Sequence, residues 1–203
     1  ISEGLVGSEM CIRDSSYLEC LDSDFPYLEG ILYPDTYFYK KGMNASEILN
    51  KSSKRMSVFI KSLPLNNNST LSKNELLILA SIIEKEAGNN IEKAKIAGVF
   101  LKRISINMKL QADPTIIYGL LPNFDGDIKK SDILNKNNKY NTYMIKGLPP
   151  SPIAVSSRSS ILAAFNGKPD DYLFFVADSK NSHYFSKTYK EHLNKIKELG
   201  LDQ

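Results

Sequence analysis

The segment that most constrains the fold is residues 75–88, ELLILASIIEKEAG, which reads as an apolar helix carrying two acids near its end. At ~100° of rotation per residue, its large aliphatic side chains form one broad arc: Leu76, Ile78, Leu79, Ile82 and Ile83. Glu86 projects near the middle of that arc, whereas Glu84 falls at its margin and Lys85 points to the opposite side. We therefore predict a core helix with the carboxyl of Glu86 on its packed face.

A carboxyl on a packed face has a chemical consequence. Hydrocarbon neighbours remove water from the charged form, so the pKa of the carboxyl rises, and a carboxyl that keeps its proton near neutral pH can act as a general acid. Gly88 and the pair Asn89–Asn90 end the helix within a turn, so Glu86 is expected where a cleft can reach it. The alternative is a boundary glutamate whose stem is packed and whose carboxylate lies in water.

Composition limits the classes of protein to which the chain can belong. Its 203 residues are 42% hydrophobic, enough for a core in one domain or two small ones. The net charge of +3 comes from lysines spread over the chain, so we expect no nucleic-acid partner. No apolar run approaches the ~20 residues of a membrane span. Cys11 and Cys20 are the only cysteines, which provides no disulfide framework.

The first residues look artificial. Residues 5–15, LVGSEMCIRDS, resemble an in-frame translation of a transposon-type sequencing adapter. We therefore expect residues 1–15 to be an artefact, and the true start of the protein to be missing from this sequence. The folded domain is expected within residues 16–203.

From residue 26 onward the pattern predicts a helix-rich α+β fold. The aromatic and branched residues around the Pro34–Asp35 turn in residues 26–39 predict a short strand or extended segment, a turn and a second strand. Residues 172–186, YLFFVADSKNSHYFS, predict a β-hairpin near the C-terminus. Helices are predicted from apolar periodicity and capping residues at residues 44–63, 71–87, 92–104, 159–165 and 188–199, with a further helix starting at 113.

Two polar segments between the helices are candidates for ligand binding. Residues 110–120, LQADPTIIYGL, place Gln111 just before a helix start at Asp113–Pro114. Residues 138–157, NKYNTYMIKGLPPSPIAVSS, are too rich in Asn, Gly and Pro for a regular helix and long for a connection. Ordered segments of this kind often carry binding groups on a rigid scaffold. A proline-stiffened linker is the alternative.

The residues exclude several reaction types. His183 and His192 are the only histidines and lack metal-site spacing, so no metal or other cofactor is expected. No Gly-x-Ser-x-Gly elbow and no P-loop are present. A buried acid beside an aromatic, amide-rich segment favours glycosidic bond cleavage. Ordinary glycosidases use two carboxylates. A lytic transglycosylase can work with one, because the C6 hydroxyl of the substrate itself attacks C1.

Five segments, in order and spacing, resemble the endolytic murein transglycosylases of the MltG/YceG-like family. They are LEGILYPDTY (28–37), LASIIEKEAG (79–88), LQADPTIIYG (110–119), YNTYMIKGLPPSPI (140–153), and YLFFVAD followed by HYFS. The resemblance extends from about residue 26 to the end of the chain. It implies that residues 16–203 form a YceG-like catalytic domain, with at most the tail of a LysM-like region at its N-terminal end.

The resemblance implies an enzyme that cuts nascent peptidoglycan strands internally, at the β-1,4 bond from N-acetylmuramic acid (MurNAc) to N-acetylglucosamine (GlcNAc). The product end is 1,6-anhydroMurNAc. The catalytic glutamate of the family matches Glu86, acting as general acid and then as base. Glycan strands are the expected partner, and peptidoglycan synthases are further candidate partners. The expected location is the bacterial inner membrane, through a single-pass anchor missing from this chain, with the catalytic domain in the periplasm.

Position in these motifs marks further residues. The candidates for sugar and acetamide contacts are Gln111, Asp113, Tyr118, Asn141, Thr142 and Tyr143. Glu29 is a candidate for supporting the site or orienting Glu86. Asp113 has the alternative role of a helix N-cap, and Tyr118 that of a core residue.

Two rival functions stay open. One is a non-catalytic peptidoglycan-binding or scaffolding module of the cell-wall synthesis machinery. The other is a hydrolase with two acids, Glu86 plus Asp113 or Glu29.

Overall fold

A computed structural model describes residues 28–64, 71–178 and 182–201, and these contain eight α-helices and one β-hairpin. In chain order the elements are α1 (Leu28–Ile31), α2 (Ala45–Ser62), α3 (Lys73–Glu86), α4 (Lys93–Ser105), α5 (Asp113–Leu120), α6 (Lys130–Ile133), α7 (Arg158–Asn166), β1 (Phe174–Ala177), β2 (His183–Ser186) and α8 (Tyr189–Glu198). The predicted α+β class, rich in helix with a hairpin near the C-terminus, is confirmed. The predictions for residues 1–15 and for a LysM-like tail lie outside the described residues.

Helix α3 is the centre of the core. Ser72 caps it and forms a capping box with Glu75, and every residue from Leu76 to Ile83 is buried. Its neighbours are α1, α4, α5 and α7. The buried surface of α3 is therefore wider than the predicted arc, because even the polar Ser81 is buried. The Ser81 hydroxyl accepts a hydrogen bond from the backbone N–H of Ile153 at 2.9 Å, which ties residues 138–157 to α3.

The prediction of a strand or extended segment followed by a second strand in residues 26–39 is wrong for its described part, residues 28–39. The chain forms the single turn α1 and then continues without a strand. The carbonyl of Tyr33 accepts hydrogen bonds from two side chains, the hydroxyls of Tyr37 at 2.7 Å and Ser52 at 3.0 Å. Leu28 and Ile31 are buried, so helical packing and local hydrogen bonds replace the strand pairing that the aromatic pattern suggested.

The other predicted helices are confirmed, with ends that differ from the structure by one or two residues. Residues 138–157 contain neither helix nor strand, as predicted, and the short α6 was not predicted. Across residues 28–64, 71–178 and 182–201, no helix is both long and apolar enough to cross a membrane.

The hairpin and α8 form one unit that packs beside α4. Strands β1 and β2 are antiparallel, with Phe174 opposite Ser186 and Ala177 opposite His183. The N-cap of α8 is Thr188, whose side chain accepts from the N–H of Glu191. Both strands contact α8. This unit stands across from the C-terminal end of α3, and the space between them is the site described next.

Candidate active site

Glu86, the last residue of α3, lines a cavity of about 410 Å³. Ligand pockets typically enclose roughly 300–1,000 Å³, so the space suits a small organic ligand or part of a polymer. Gln111, Asp113 and Tyr143 line the cavity with Glu86. The structure therefore brings together four of the predicted site residues, although they come from three separate parts of the chain.

The surroundings of Glu86 favour its protonated form. Burial is the largest cause that raises the pKa of Glu86 to about 7, and the negative charge of Asp113 adds to the rise, while the positive charge of Arg103 opposes it. The side chain is half-buried, with protein around it and the cavity in front of it. Near pH 7 both forms of the carboxyl are populated, which suits a group that must give a proton and take one back.

Asp113 and Tyr143 form a hydrogen-bonded pair in the cavity. The Tyr143 hydroxyl donates to Oδ1 of Asp113 at 2.6 Å. Burial, followed by this bond, raises the pKa of Tyr143, so its phenol stays protonated. Asp113 is the first residue of α5, whose N-cap position is occupied by Ala112 without a side-chain cap. The alternative role of Asp113 as an N-cap is therefore not observed.

Gln111 has an unusual backbone conformation. Its φ angle is 51°, in the left-handed region that residues other than glycine and asparagine rarely adopt. Thr142 holds this turn: its carbonyl accepts from the N–H of Gln111 at 3.2 Å, and its hydroxyl accepts from the N–H of Ala112 at 2.9 Å. Backbone strain fixed in this way is common at functional sites. The exposed amide of Gln111 is thereby held at the cavity.

Four predicted site residues do not line the cavity. Thr142 is fully buried and supports Gln111 as described. Asn141 is also fully buried, and its Nδ2 donates to the carbonyls of Asp132, Ile133 and Asn135. The Tyr118 hydroxyl donates to Glu29 Oε1 at 2.6 Å. The contacts seen for these four residues are internal ones, and a direct sugar contact by any of them stays a prediction.

Arg103 lines the cavity and was missed by the sequence analysis. Its Nε donates to the carbonyl of Leu173 at 2.7 Å and its Nη1 to that of Leu110 at 2.6 Å. Burial lowers the pKa of Arg103, while Tyr143 and Glu86 oppose that change. Arg103 falls at the helical spacing of the buried Ile96, Val99 and Phe100. That spacing could have predicted a cation on the inward face of α4.

Glu84 has quite different contacts from Glu86. One of its oxygens, Oε2, accepts hydrogen bonds from the N–H and hydroxyl of Ser157, from the hydroxyl of Ser160, and from Lys93 Nζ at 3.2 Å. Burial alone would raise the pKa of Glu84, but these bonds lower it below its usual value. The cluster of Glu84, Lys93, Ser157 and Ser160 joins α3, α4 and α7, and its role is structural.

Aromatic side chains of the hairpin unit form the remaining wall of the cavity. Phe174, Tyr189 and His192 line it, and none was predicted as a site residue. His183 also lines it and is fixed by Glu92, with 2.9 Å between Nδ1 and Oε2. In the part of the chain that the structure describes, no group of three or more His, Cys, Asp or Glu side chains could hold a metal ion.

Comparison with known proteins agrees with these observations. The sequence model of the YceG-like family matches residues 6–198. The endolytic murein transglycosylase of Bacillus subtilis (strain 168) is 38% identical over 173 residues, which cover 84% of this chain and 47% of that protein. The protein of the same name from Streptococcus pneumoniae (strain ATCC BAA-255 / R6) is 31% identical over 179 residues, covering 84% of this chain and 32% of the relative.

A solved structure shares the fold. The crystal structure of a yceG-like protein from Listeria monocytogenes superposes with a TM-score of 0.68 at 37% identity, covering 81% of this chain and 53% of that one. The chain spans about half the length, or less, of each of these three relatives.

Proposed function

Because the chain belongs to the YceG-like family, we propose that it is a peptidoglycan lytic transglycosylase that cuts glycan strands within their length. The relatives from B. subtilis and S. pneumoniae carry the name endolytic murein transglycosylase. The observation that carries the proposal is Glu86, a carboxyl with its pKa raised to about 7, which faces a cavity lined by polar and aromatic groups.

In the first step, protonated Glu86 gives its proton to the glycosidic oxygen between MurNAc and GlcNAc. The bond from this oxygen to C1 breaks while positive charge builds on the muramyl ring. The burial of Glu86 and the charge of Asp113 keep the proton available until this step. GlcNAc leaves with the transferred proton as a free hydroxyl.

In the second step, the Glu86 carboxylate takes the proton from the C6 hydroxyl of the same MurNAc as that oxygen bonds to C1. The product is a 1,6-anhydroMurNAc end, water is not consumed, and Glu86 regains its proton. The attack is intramolecular, so the nucleophile is effectively very concentrated. The positive charge of Arg103 favours the carboxylate form that exists between the two steps.

The polar residues of the cavity suit the functional groups of the substrate. Gln111 offers an amide that can both donate to and accept from hydroxyl or acetamido groups. Asp113 has one oxygen bonded to Tyr143 and a second that can accept from a sugar hydroxyl. We assign substrate contacts to these three residues and proton transfer to Glu86.

The two-acid hydrolase keeps one specific observation in its favour, because Asp113 shares the cavity with Glu86. In that mechanism Asp113 would activate water, and each cut would leave a reducing end in place of an anhydro end. The names of the relatives and the hydrogen bond from Tyr143 to Asp113 favour the lytic reaction.

Mass spectrometry of the products tests the proposal. The chain is incubated with un-crosslinked glycan strands and the new ends are identified. We expect anhydroMurNAc ends from the unaltered protein and from Glu198→Gln, a control at an exposed carboxyl on α8, and none from Glu86→Gln. Reducing ends would favour the hydrolase. Binding of strands without any new ends would favour the non-catalytic module.

We also propose that the full-length protein acts outside the cytoplasmic membrane, held by a single-pass anchor, with peptidoglycan synthases as candidate partners. The support is the location of the proposed substrate. Protease added to spheroplasts should digest this domain of the full-length protein but leave a cytoplasmic marker intact. Protection equal to that of the marker would contradict the proposed location.

A further inference from the structure

Three rings from β1 and α8 form a continuous aromatic surface in the cavity, which we call the aromatic shelf: Phe174, Tyr189 and His192. The rings of Phe174 and His192 are stacked, with centroids 5.2 Å apart and planes inclined by 23°. The Tyr189 ring lies 5.7 Å from that of Phe174. Offset and stacked pairs at these distances hold one another in place, so the shelf is a defined surface.

Tyr189 is the exposed member of the shelf. It is 60% exposed, although it lines the cavity and follows directly on the N-cap of α8. Within the described residues no hydrogen bond uses its hydroxyl. A large ring fixed at its base and open to the cavity offers one free face to a ligand.

The other two rings bring polar groups to the same surface. The guanidinium of Arg103 lies 5.3 Å from the centroid of Phe174. Burial, followed by the charge of Arg103, lowers the pKa of His192, so its imidazole is neutral near pH 7. In the described part of the chain neither nitrogen of that imidazole has a hydrogen-bond partner; Nδ1 is buried, which leaves Nε2 as the nitrogen that a ligand can reach. An aromatic face with polar groups at its edge matches a pyranose, which has an apolar C–H face and a rim of hydroxyls.

We propose that the aromatic shelf is a sugar subsite, where one pyranose of the strand lies with its C–H face on the ring of Tyr189. This inference rests on the proposed function and adds to it a binding position beside the reacting bond. Sugar C–H groups are slightly positive and aromatic faces slightly negative, so the two attract. A contact away from the reacting atoms that is equally strong in the ground state and the transition state tightens binding of the strand without changing the chemical step.

Binding of un-crosslinked glycan strands to the Glu86→Gln protein, which we expect not to cut them, measures the subsite directly. We expect Tyr189→Ala to weaken binding about tenfold, equivalent to ~1.4 kcal/mol. Tyr189→Leu, which keeps apolar contact with Phe174, should weaken it equally, and Tyr189→Phe should bind as the parent does. In the active protein, Tyr189→Ala should raise KM and leave kcat nearly unchanged.

Tyr184→Ala is the matched control. Tyr184 is an exposed ring on β2, at 43% exposure, and contacts Lys195 of α8 but does not line the cavity. Its loss should disturb the same hairpin and helix without changing affinity. If Tyr189→Ala and Tyr189→Leu both bind strands as tightly as the parent does, the subsite is overturned. An equal loss of affinity in Tyr184→Ala or in Tyr189→Phe would also overturn it.

The two proposals fail in different ways. Absence of anhydro ends with the unaltered protein counts against the proposed function, whereas the shelf is judged by the binding of uncut strands. Normal production of anhydro ends with an unchanged KM in Tyr189→Ala counts against the shelf alone.

Discussion

Glu84 and Glu86 lie two residues apart at the end of α3, and their carboxyls have opposite properties. The pKa of Glu84 is lowered and that of Glu86 is raised to about 7, although burial favours the protonated form of both. Glu84 accepts hydrogen bonds from two serines and Lys93. Within the described residues Glu86 accepts none, and Asp113 places a negative charge near it.

The comparison shows that hydrogen-bond donors, and not burial alone, decide whether a half-buried carboxyl is a structural anion or an acid. Donors replace the lost water around Glu84 and stabilise its charge. The carboxyl of Glu86 faces the cavity, where a substrate oxygen can take the proton. The last turn of α3 thus carries both a carboxylate that binds α7 and a carboxyl that is a candidate acid.

The largest expected effect is on catalysis at Glu86. Replacement by glutamine removes the transferable proton, so kcat for anhydro-end formation should fall roughly 10²–10⁴-fold or below detection. The fold should be kept, because an amide of the same shape replaces a carboxyl that is costly to ionise. Product analysis and thermal unfolding on the same sample check both points. Residual activity close to that of the parent would remove Glu86 from the mechanism.

Glu84 should behave in the opposite way. Glu84→Gln leaves Lys93, which is 6% exposed, without its carboxylate, and breaking a buried pair typically costs about 3–5 kcal/mol. Because Glu84 is partly exposed, we expect the free energy of unfolding in urea to fall by about 2–4 kcal/mol, with kcat per folded molecule retained. Asp171→Asn, which breaks the exposed pair with Lys187, is the control and should leave the free energy of unfolding nearly unchanged, because exposed ion pairs contribute little.

The pH dependence of stability should separate the two acids. The folded-state pKa of Glu86, about 7, lies above its ordinary value of 4.5, so the folded state binds the extra proton and its stability falls as pH rises from 4.5 to 7. Glu86→Gln should remove this decline and be more stable than the parent at pH 8, by roughly 1–3 kcal/mol. Glu84 has a lowered pKa, so its contribution is present above 4.5 and lost as pH falls further. Identical urea-unfolding profiles for Glu86→Gln and its parent from pH 4.5 to 8 would contradict the assignment.

A smaller effect is expected from Asp113. Its charge helps to keep Glu86 protonated, so in Asp113→Asn the loss of activity at high pH should begin at a lower pH than in the parent. Tyr143→Phe removes the hydrogen bond to Asp113 but keeps the charge, and serves as the comparison. The rate of anhydro-end formation measured against pH gives the midpoint. An unmoved midpoint would show that Asp113 does not act on Glu86 electrostatically.

Much of this site could be predicted from local patterns in the sequence. The 3.6-residue period placed Glu86 on the packed side of a helix that ends before Gly88. The Asn, Gly and Pro content of residues 138–157 predicted an ordered irregular segment. Helical periodicity depends only on residues that are near one another in the sequence, so it can be recognised without knowledge of the tertiary fold.

What escaped prediction depends on contacts distant in sequence. Helical spacing places Arg103 on the inward face of α4, but no local pattern encodes its bond to the carbonyl of Leu173. The pairing of His183 with Glu92 is not encoded locally either. The left-handed φ of Gln111 follows from its bond to Thr142. The strand prediction for residues 28–39 failed for a related reason, because tertiary burial of Leu28 and Ile31 overrode the β-propensity of the aromatic residues.

The proposed mechanism depends most on the pKa of the Glu86 carboxyl, which can be measured by titration. In protein labelled with ¹³C at the glutamate carboxyls, the Glu86 resonance is identified by its absence from Glu86→Gln and then followed against pH by NMR. We predict a midpoint near 7 for Glu86 and one below the ordinary glutamate value for Glu84. A Glu86 midpoint near 4.5 would contradict it, because the carboxyl would then hold no proton to give at neutral pH.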